Sequence, residues 1–204
     1  MYTRQLREFF RYYRWHIIFL ALIVICVVFV FFGVTKKENP DLRVLYSAQD
    51  YMNVQSFNDA KAEIELIIRD ATGDKKRIAS INAIIGNDDK EDEKNLSDAI
   101  DMDNYDIYIS TKEAFEKIED KSVFAPVESY YSISADEHTA ALSDKKVGAY
   151  AASLKENSIA AMLGITNAEN LYIAAAALKD DSMYRKNGMN TVGYILENKY
   201  KYKY

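Results

Sequence analysis

Eighteen consecutive residues without a charge or a strongly polar group, IIFLALIVICVVFVFFGV from Ile17 to Val34, constrain this chain more than any other feature. As an α-helix rising about 1.5 Å per residue they span roughly 27 Å, close to the ~30 Å hydrocarbon core of a bilayer. Thr35 completes the crossing, so the pattern predicts a transmembrane helix over 17–35. A helix buried in a soluble core keeps a polar stripe, whereas this one is apolar all round. A cleaved signal peptide has a shorter apolar region and ends in a small-x-small site. Here the run is longer and ends Phe31-Phe32-Gly33. Cys26, the single cysteine, follows Ile25 and precedes more apolar residues, which does not suit a lipid-modified start. One cysteine also excludes an internal disulfide.

Flanking charge predicts the orientation. Residues 1–16 carry Arg4, Arg7, Arg11 and Arg14 against Glu8. Basic residues beside a span stay in the cytoplasm, so the chain reads as a single-pass protein of the cell membrane. Its N-terminus is expected inside and residues 36–204 outside the cytoplasm. Lys36, Lys37 and Arg43 on the far side weaken the asymmetry. The arginines recur at steps of 3, 4 and 3, which places them on one helix face. Tyr12, Tyr13 and Trp15 then sit at headgroup level, with the arginines toward anionic lipid. A plain topology signal explains the same segment. The lipid bilayer is the first expected partner.

Residues 36–41 form a short polar stalk, in which Pro40 stops the anchor helix from running on. Residues 42–199 suit one globular domain, and 200–204 form a tail ending the alternating run KYKYKY. The whole chain is 49% hydrophobic and 28% charged, which is globular rather than disordered composition. The net charge of -5 does not suit nucleic-acid binding.

Strand and helix signals alternate through the first half. LRVLYSA reads as a strand. Phe57, Ala60, Ile64, Ile67, Ile68 and Ala71 recur at three and four, which predicts a helix over 54–70. RIASINAII is a second strand, and DDKEDEKNLSDAI a largely solvated helix held by Leu96, Ala99 and Ile100. YDIYIS is a third strand. TKEAFEKIED is a helix capped by Thr111, with Ala114, Phe115 and Ile118 inward. The order implies a parallel sheet with helices on both faces. Farther on, KKVGAYAAS and LYIAAAALK read as strands, NSIAAMLG as a short helix and 182–199 as a helix weakened by Gly188 and Gly193. YYSISADEHTAALSD has no clear period and reads as loop. The fold class expected is α/β: a transmembrane helix, then a single three-layer domain with a mostly parallel sheet.

The stretch DATGDKK spaces Asp70, Thr72 and Asp74 like the first ligands of a calcium loop. Such a loop needs Gly at its sixth position and a bidentate acid at its twelfth, where this chain has Lys75 and Ile81. Lys75, Lys76 and Arg77 would repel a cation. The stretch therefore reads as a helix-to-strand turn, with Gly73 placed as the left-handed residue that closes the helix.

The run DLRVLYSAQDY, FNDAKAEIELIIRDATGDKKRIASINAI, NYDIYISTKEAFEKI and VFAPVESY resembles the first lobe of extracytoplasmic solute-binding proteins of the type II periplasmic-binding fold. It is similar also to small single-anchor membrane proteins of Gram-positive bacteria with a solute-binding-like outer domain. Their Asp-x-Asn-Gly-Asp-Gly turn is matched in part, with Asp70, Gly73 and Asp74 present but Thr72 for Asn and Lys75 for Gly. The resemblance implies one lobe of a fold that normally closes two lobes on its ligand.

In parallel α/β sheets ligands lie beyond the carboxyl ends of the strands. The ligand-binding candidates there are Ser47, Gln49, Asp50, Asn87, Ser110 and Thr111. The same residue types cap helices and fill turns. His16 lies at the membrane and His138 in a loop, too few for a histidine metal site. No serine sits in a nucleophile motif, and the glycines form no phosphate loop. The acids Asp88, Asp89, Glu91, Asp92 and Glu93 read as a solvated face. No catalytic residue, metal or cofactor is therefore expected. The sequence suits a non-enzymatic module serving an envelope or transporter membrane protein, with a small-solute or peptide receptor as the alternative.

Overall fold

The computed structural model describes residues 12, 13, 15, 16, 18–26, 39–48, 54–86, 88–132, 141–155, 168–179 and 182–197. They fall in two compact units, Met1–Glu38 and Asn39–Tyr204. In the first, residues 18–26 are helical and Ile18, Phe19, Leu20 and Leu22 are all more than half exposed. Tyr12, Tyr13 and Trp15 are helical and exposed too. Among the described residues no helix is long and apolar enough to cross a membrane. Residues 27–38, and with them the second half of the apolar run, lie outside the described residues, as do Arg4, Arg7, Arg11 and Arg14.

The second unit is a three-layer α/β domain. Its elements are β1 (Leu42–Ser47), α1 (Val54–Ile67), β2 (Ala79–Ile84), α2 (Asp89–Asp101), β3 (Ile107–Thr111), α3 (Lys112–Lys117), β4 (Leu142–Asp144), β5 (Gly148–Ser153), β6 (Leu171–Ala175) and α4 (Met183–Glu197). The strand order is β2-β1-β3-β6-β5-β4. β1 pairs in parallel with β2 and β3, as the β-α-β alternation requires. The remaining pairs, β3–β6, β6–β5 and β5–β4, are antiparallel. The sheet is therefore mixed, parallel only across its first three strands. β4 and β5 turn back on each other through residues 145–147, so no crossover helix is needed. β4 itself lies in the stretch expected to be loop; three residues are too few to show a period.

Both faces of the central strands are covered, which explains their nearly unbroken apolar runs. On one face Leu42, Val44 and Tyr46 pack with Ile107, Ile109 and Ile173 against Ala60, Ile64 and Ile68 of the α1 end and Val192, Ile195 and Leu196 of α4. On the other, Leu45, Tyr108 and Ala174 meet Leu96 and Ala99 of α2 and Ala114 and Phe115 of α3. Phe124 joins this layer, edge-on to Phe115 at 5.4 Å and stacked on Tyr150 at 5.8 Å. Burying each Val, Leu, Ile or Phe among them contributes about 1.5–3 kcal/mol.

Gly188 and Gly193 count against a helix by propensity, yet both lie inside α4. A Cβ at Gly188 would stand 2.7 Å from the carbonyl oxygen of Asp106, and one at Gly193 2.8 Å from that of Tyr130. The missing side chains let α4 lie directly on backbone. The domain also begins earlier than a stalk ending at residue 41 implies. Asp41 is fully buried, and its carboxylate accepts from the backbone N–H groups of Ala71 (2.6 Å), Thr72 (3.1 Å) and Ile78 (2.8 Å). It fastens the α1–β2 connection to the start of β1.

Candidate functional site

The carboxyl ends of the parallel strands bring together half of the candidate residues. Ser47 and Ser110 are register partners, and both are fully buried. Ser110 Oγ donates to the Ser47 carbonyl at 2.7 Å, and Ser47 Oγ to the Asp92 carbonyl at 3.5 Å. Thr111 ends β3 and caps α3, its Oγ1 accepting from Ala114 N–H at 3.3 Å as its position predicts. These hydroxyls hold backbone. Gln49, Asp50, Asn87 and His138 lie outside the described residues.

Asp92 corrects the reading of the acidic run as a wholly solvated face. It is fully buried, and its carboxylate accepts the Gly86 N–H at 3.2 Å. The side chain thus plugs the end of β2 from α2. Its sequence signal is spacing rather than composition: Asp92, Leu96 and Ala99 stand at i, i+4 and i+7, so the acid lies on the apolar stripe. Asp88 caps α2, accepting from Glu91 N–H at 2.9 Å.

The opposite end of the sheet carries a polar cleft of about 300 Å³, lined by Arg43, Asp103, Asp106, Lys179, Ser182 and Arg185 among others. Arg185, in the first turn of α4, is almost buried and reaches back under the start of β3. It donates to the carbonyl of Tyr105 and to Asp103 Oδ1, and lies 3.3 Å from Asp106 Oδ1. Asp106 also accepts Arg43 N–H at 2.9 Å. Lys179 Nζ completes the cluster, 3.1 Å from Asp103 Oδ2. Burial pushes the Asp106 carboxyl above its ordinary value, against the pull of the Arg43 N–H and the Arg185 charge. Burial likewise raises the phenol of Tyr108. Chemically the cleft offers paired charges of both signs. No sequence signal marks these residues, because Arg185 and Asp106 are 79 positions apart and only the fold joins them.

The DATGDKK stretch forms the turn expected of it. Gly73 has φ +79° and Lys75 φ +66°. Asp70 accepts from Gly73 N–H at 2.6 Å, Lys75 N–H at 2.7 Å and Thr72 Oγ1 at 3.3 Å. Partial desolvation opposes ionisation, but the Lys75 and Gly73 N–H groups outweigh it and hold this carboxyl below its ordinary value. The carboxylate oxygens face backbone donors, an arrangement that turns them away from a cation. Helix α1 ends at Ile67, well before Gly73, so the glycine serves the turn rather than closing the helix. Among the described residues no cluster of three or more His, Cys, Asp or Glu could hold a metal ion.

Compared with family models, curated proteins and solved structures, the chain matches none of them.

Proposed function

We propose that this chain is a single-pass membrane protein whose outer α/β domain is a non-enzymatic module, serving as a protein-interaction or transporter-accessory component. The observation that carries the reading is the use made of its polar groups. Ser47, Ser110, Thr111 and Asp92 are engaged by backbone at the strand ends where an α/β domain would hold a solute. The apolar run Ile17–Val34 supplies the anchor. The resemblance to one lobe of an extracytoplasmic solute-binding protein agrees with this reading.

A second reading, a small-solute or peptide receptor, is favoured by the cleft around Arg43, Lys179 and Arg185. Its volume falls at the lower end of the usual range for ligand pockets. Thermal shift of the full chain in detergent, against sugars, amino acids and short peptides, separates the two. The accessory reading expects no shift, and cross-linking in native membranes to a specific integral membrane protein other than the chain itself. A ligand-induced shift lost on Lys179→Ala supports the receptor. Turnover of a small molecule, abolished by a point change in the domain, overturns both.

A further inference from the structure

We infer that the outer edge of β2 is an interface between two copies of this chain, paired antiparallel through a two-fold axis at Asn82. β2 ends the sheet, and among the described residues no strand covers its far side. The parallel ladder fixes which backbone groups point there. Leu42 N–H donates to the Ile78 carbonyl, so even-numbered residues of this strand turn their N–H and C=O toward β1. Ala79 faces the other way, its N–H capped by Glu65 Oε1 of α1 at 3.0 Å. Ile81 and Ala83 then present both groups outward, beyond the reach of that cap.

Beyond the Glu65 cap, the described residues give this strand none of the usual protections of an edge. ASINAII contains no charge and no proline, and Asn82, Ala83, Ile84 and Ile85 are exposed. The ends of the strand say what fits it. Before it, residues 69–77 carry four basic residues against two acidic ones. After it, residues 88–93 carry four acidic residues besides the buried Asp92, against one lysine. A second copy running antiparallel sets each basic turn beside the other copy's acidic helix start. A copy running parallel sets like against like. With the axis at Asn82, Ile81 and Ala83 of the two copies face each other and exchange both N–H and C=O groups. The two Asn82 residues stand opposite each other across the axis as a non-hydrogen-bonded pair, with Cβ atoms about 4.5–5.5 Å apart, while each Asn82 Nδ2 donates to Tyr105 Oη of its own chain at 3.2 Å. This inference is independent of the accessory and receptor readings.

The test uses the full chain in detergent. Asn82→Cys in a Cys26→Ser background is expected to form an intermolecular disulfide under mild oxidant, since that spacing lies close to disulfide geometry. Ser143→Cys, exposed on the opposite edge strand, is expected not to. Ala83→Pro removes an outward N–H without touching the β1 ladder, so it is expected to keep the fold by circular dichroism and to sediment as a monomer while wild type sediments as a dimer. Should Ala83→Pro fail to fold, Lys75→Glu with Lys76→Glu is expected to weaken the dimer. A wild-type monomer with no disulfide through Asn82→Cys overturns the inference. So does a dimer untouched by these changes, or an edge filled by an extended segment of another protein in place of a second copy.

Discussion

Asn187 holds the backbone of Arg69 from both sides. Its Oδ1 accepts the Arg69 N–H at 3.0 Å, and its Nδ2 donates to the Arg69 carbonyl at 2.7 Å and to the Asp41 carbonyl at 3.1 Å. The residues lie 118 positions apart. One buried amide therefore supplies partners for the frayed end of α1 and the start of β1 together, groups that no helix or strand ladder satisfies there. With Asp41 it forms the hub on which the α1–β2 connection hangs.

Replacing Asn187 by Ala leaves the buried Asp41 carbonyl and the partly buried Arg69 N–H and carbonyl without this partner. A buried unsatisfied group costs about 1–3 kcal/mol and one that water reaches costs less, so the variant is expected to lose roughly 2 kcal/mol of stability. Asn187→Asp is expected to be nearly as damaging, because an acid cannot donate to the two carbonyls. Urea unfolding of the full chain in detergent checks the ranking; an Asp variant as stable as wild type contradicts the donor role.

The cleft cluster separates buried from exposed charge. Arg185→Leu abandons Asp106 in a buried setting and is expected to cost about 3–5 kcal/mol. Lys179→Ala breaks an ion pair that is about half exposed and is expected to cost less than about 1 kcal/mol. Comparable losses from the two would show that the cluster is not buried in the way described.

The same cluster gives a pH signature. Asp106 has its folded pKa raised, by burial before all else. The folded state then binds this proton more tightly than the unfolded chain, so its contribution lowers stability as pH rises from the unfolded value near ~3.9 through the folded one. Removing Arg185 takes away an attraction that opposes the rise, and the folded value climbs further. The deficit of Arg185→Leu relative to wild type is expected to shrink as pH falls from 7 toward about 4. A deficit that is constant or grows on acidification refutes this.

Much of the first half was legible because its signals are local. β1, α1, β2, α2, β3 and α3 each show their own period or cap within one window, down to Thr111 as an N-cap. The second half depends on partners far away in sequence. LYIAA reads as a strand, but nothing in it says that it will insert antiparallel beside β3. Gly188 and Gly193 look like helix breakers until Asp106 and Tyr130 are seen pressed against them. Asp41 reads as a stalk residue since Pro and Asp favour turns; its burial follows from three N–H groups at positions 71, 72 and 78. Of the candidate site, the hydroxyls were found and their roles were not, because a serine bonded to backbone and one bonded to solute look alike in sequence.

The α1–β2 turn yields a ranking. Gly73→Ala is expected to cost about 1 kcal/mol, as the φ of +79° admits a side chain only with strain. Asp70→Asn removes an acceptor from the Lys75 N–H and is also expected to destabilise. Its effect should vanish in acid: a carboxyl with a lowered folded pKa contributes above the unfolded value and loses that contribution as pH falls through the folded one. Calcium is expected to leave the melting temperature unchanged, and calcium-dependent stabilisation lost on Asp70→Asn would restore a metal site.

Topology is set, on our proposal, by the arginines before the apolar run. Arg4, Arg7, Arg11 and Arg14 outweigh Lys36 and Lys37 on the far side, and the effect of basic residues is graded. Protease added to intact spheroplasts is expected to degrade the α/β domain of the wild type. Changing all four arginines to Asn leaves the two lysines dominant, so a fraction of the molecules is expected to invert and keep that domain protected. Restoring Arg11 and Arg14, nearest the membrane, is expected to recover most of the wild-type pattern. A wild-type domain fully protected in intact spheroplasts, yet digested once they are lysed, would place it in the cytoplasm and reverse the assignment.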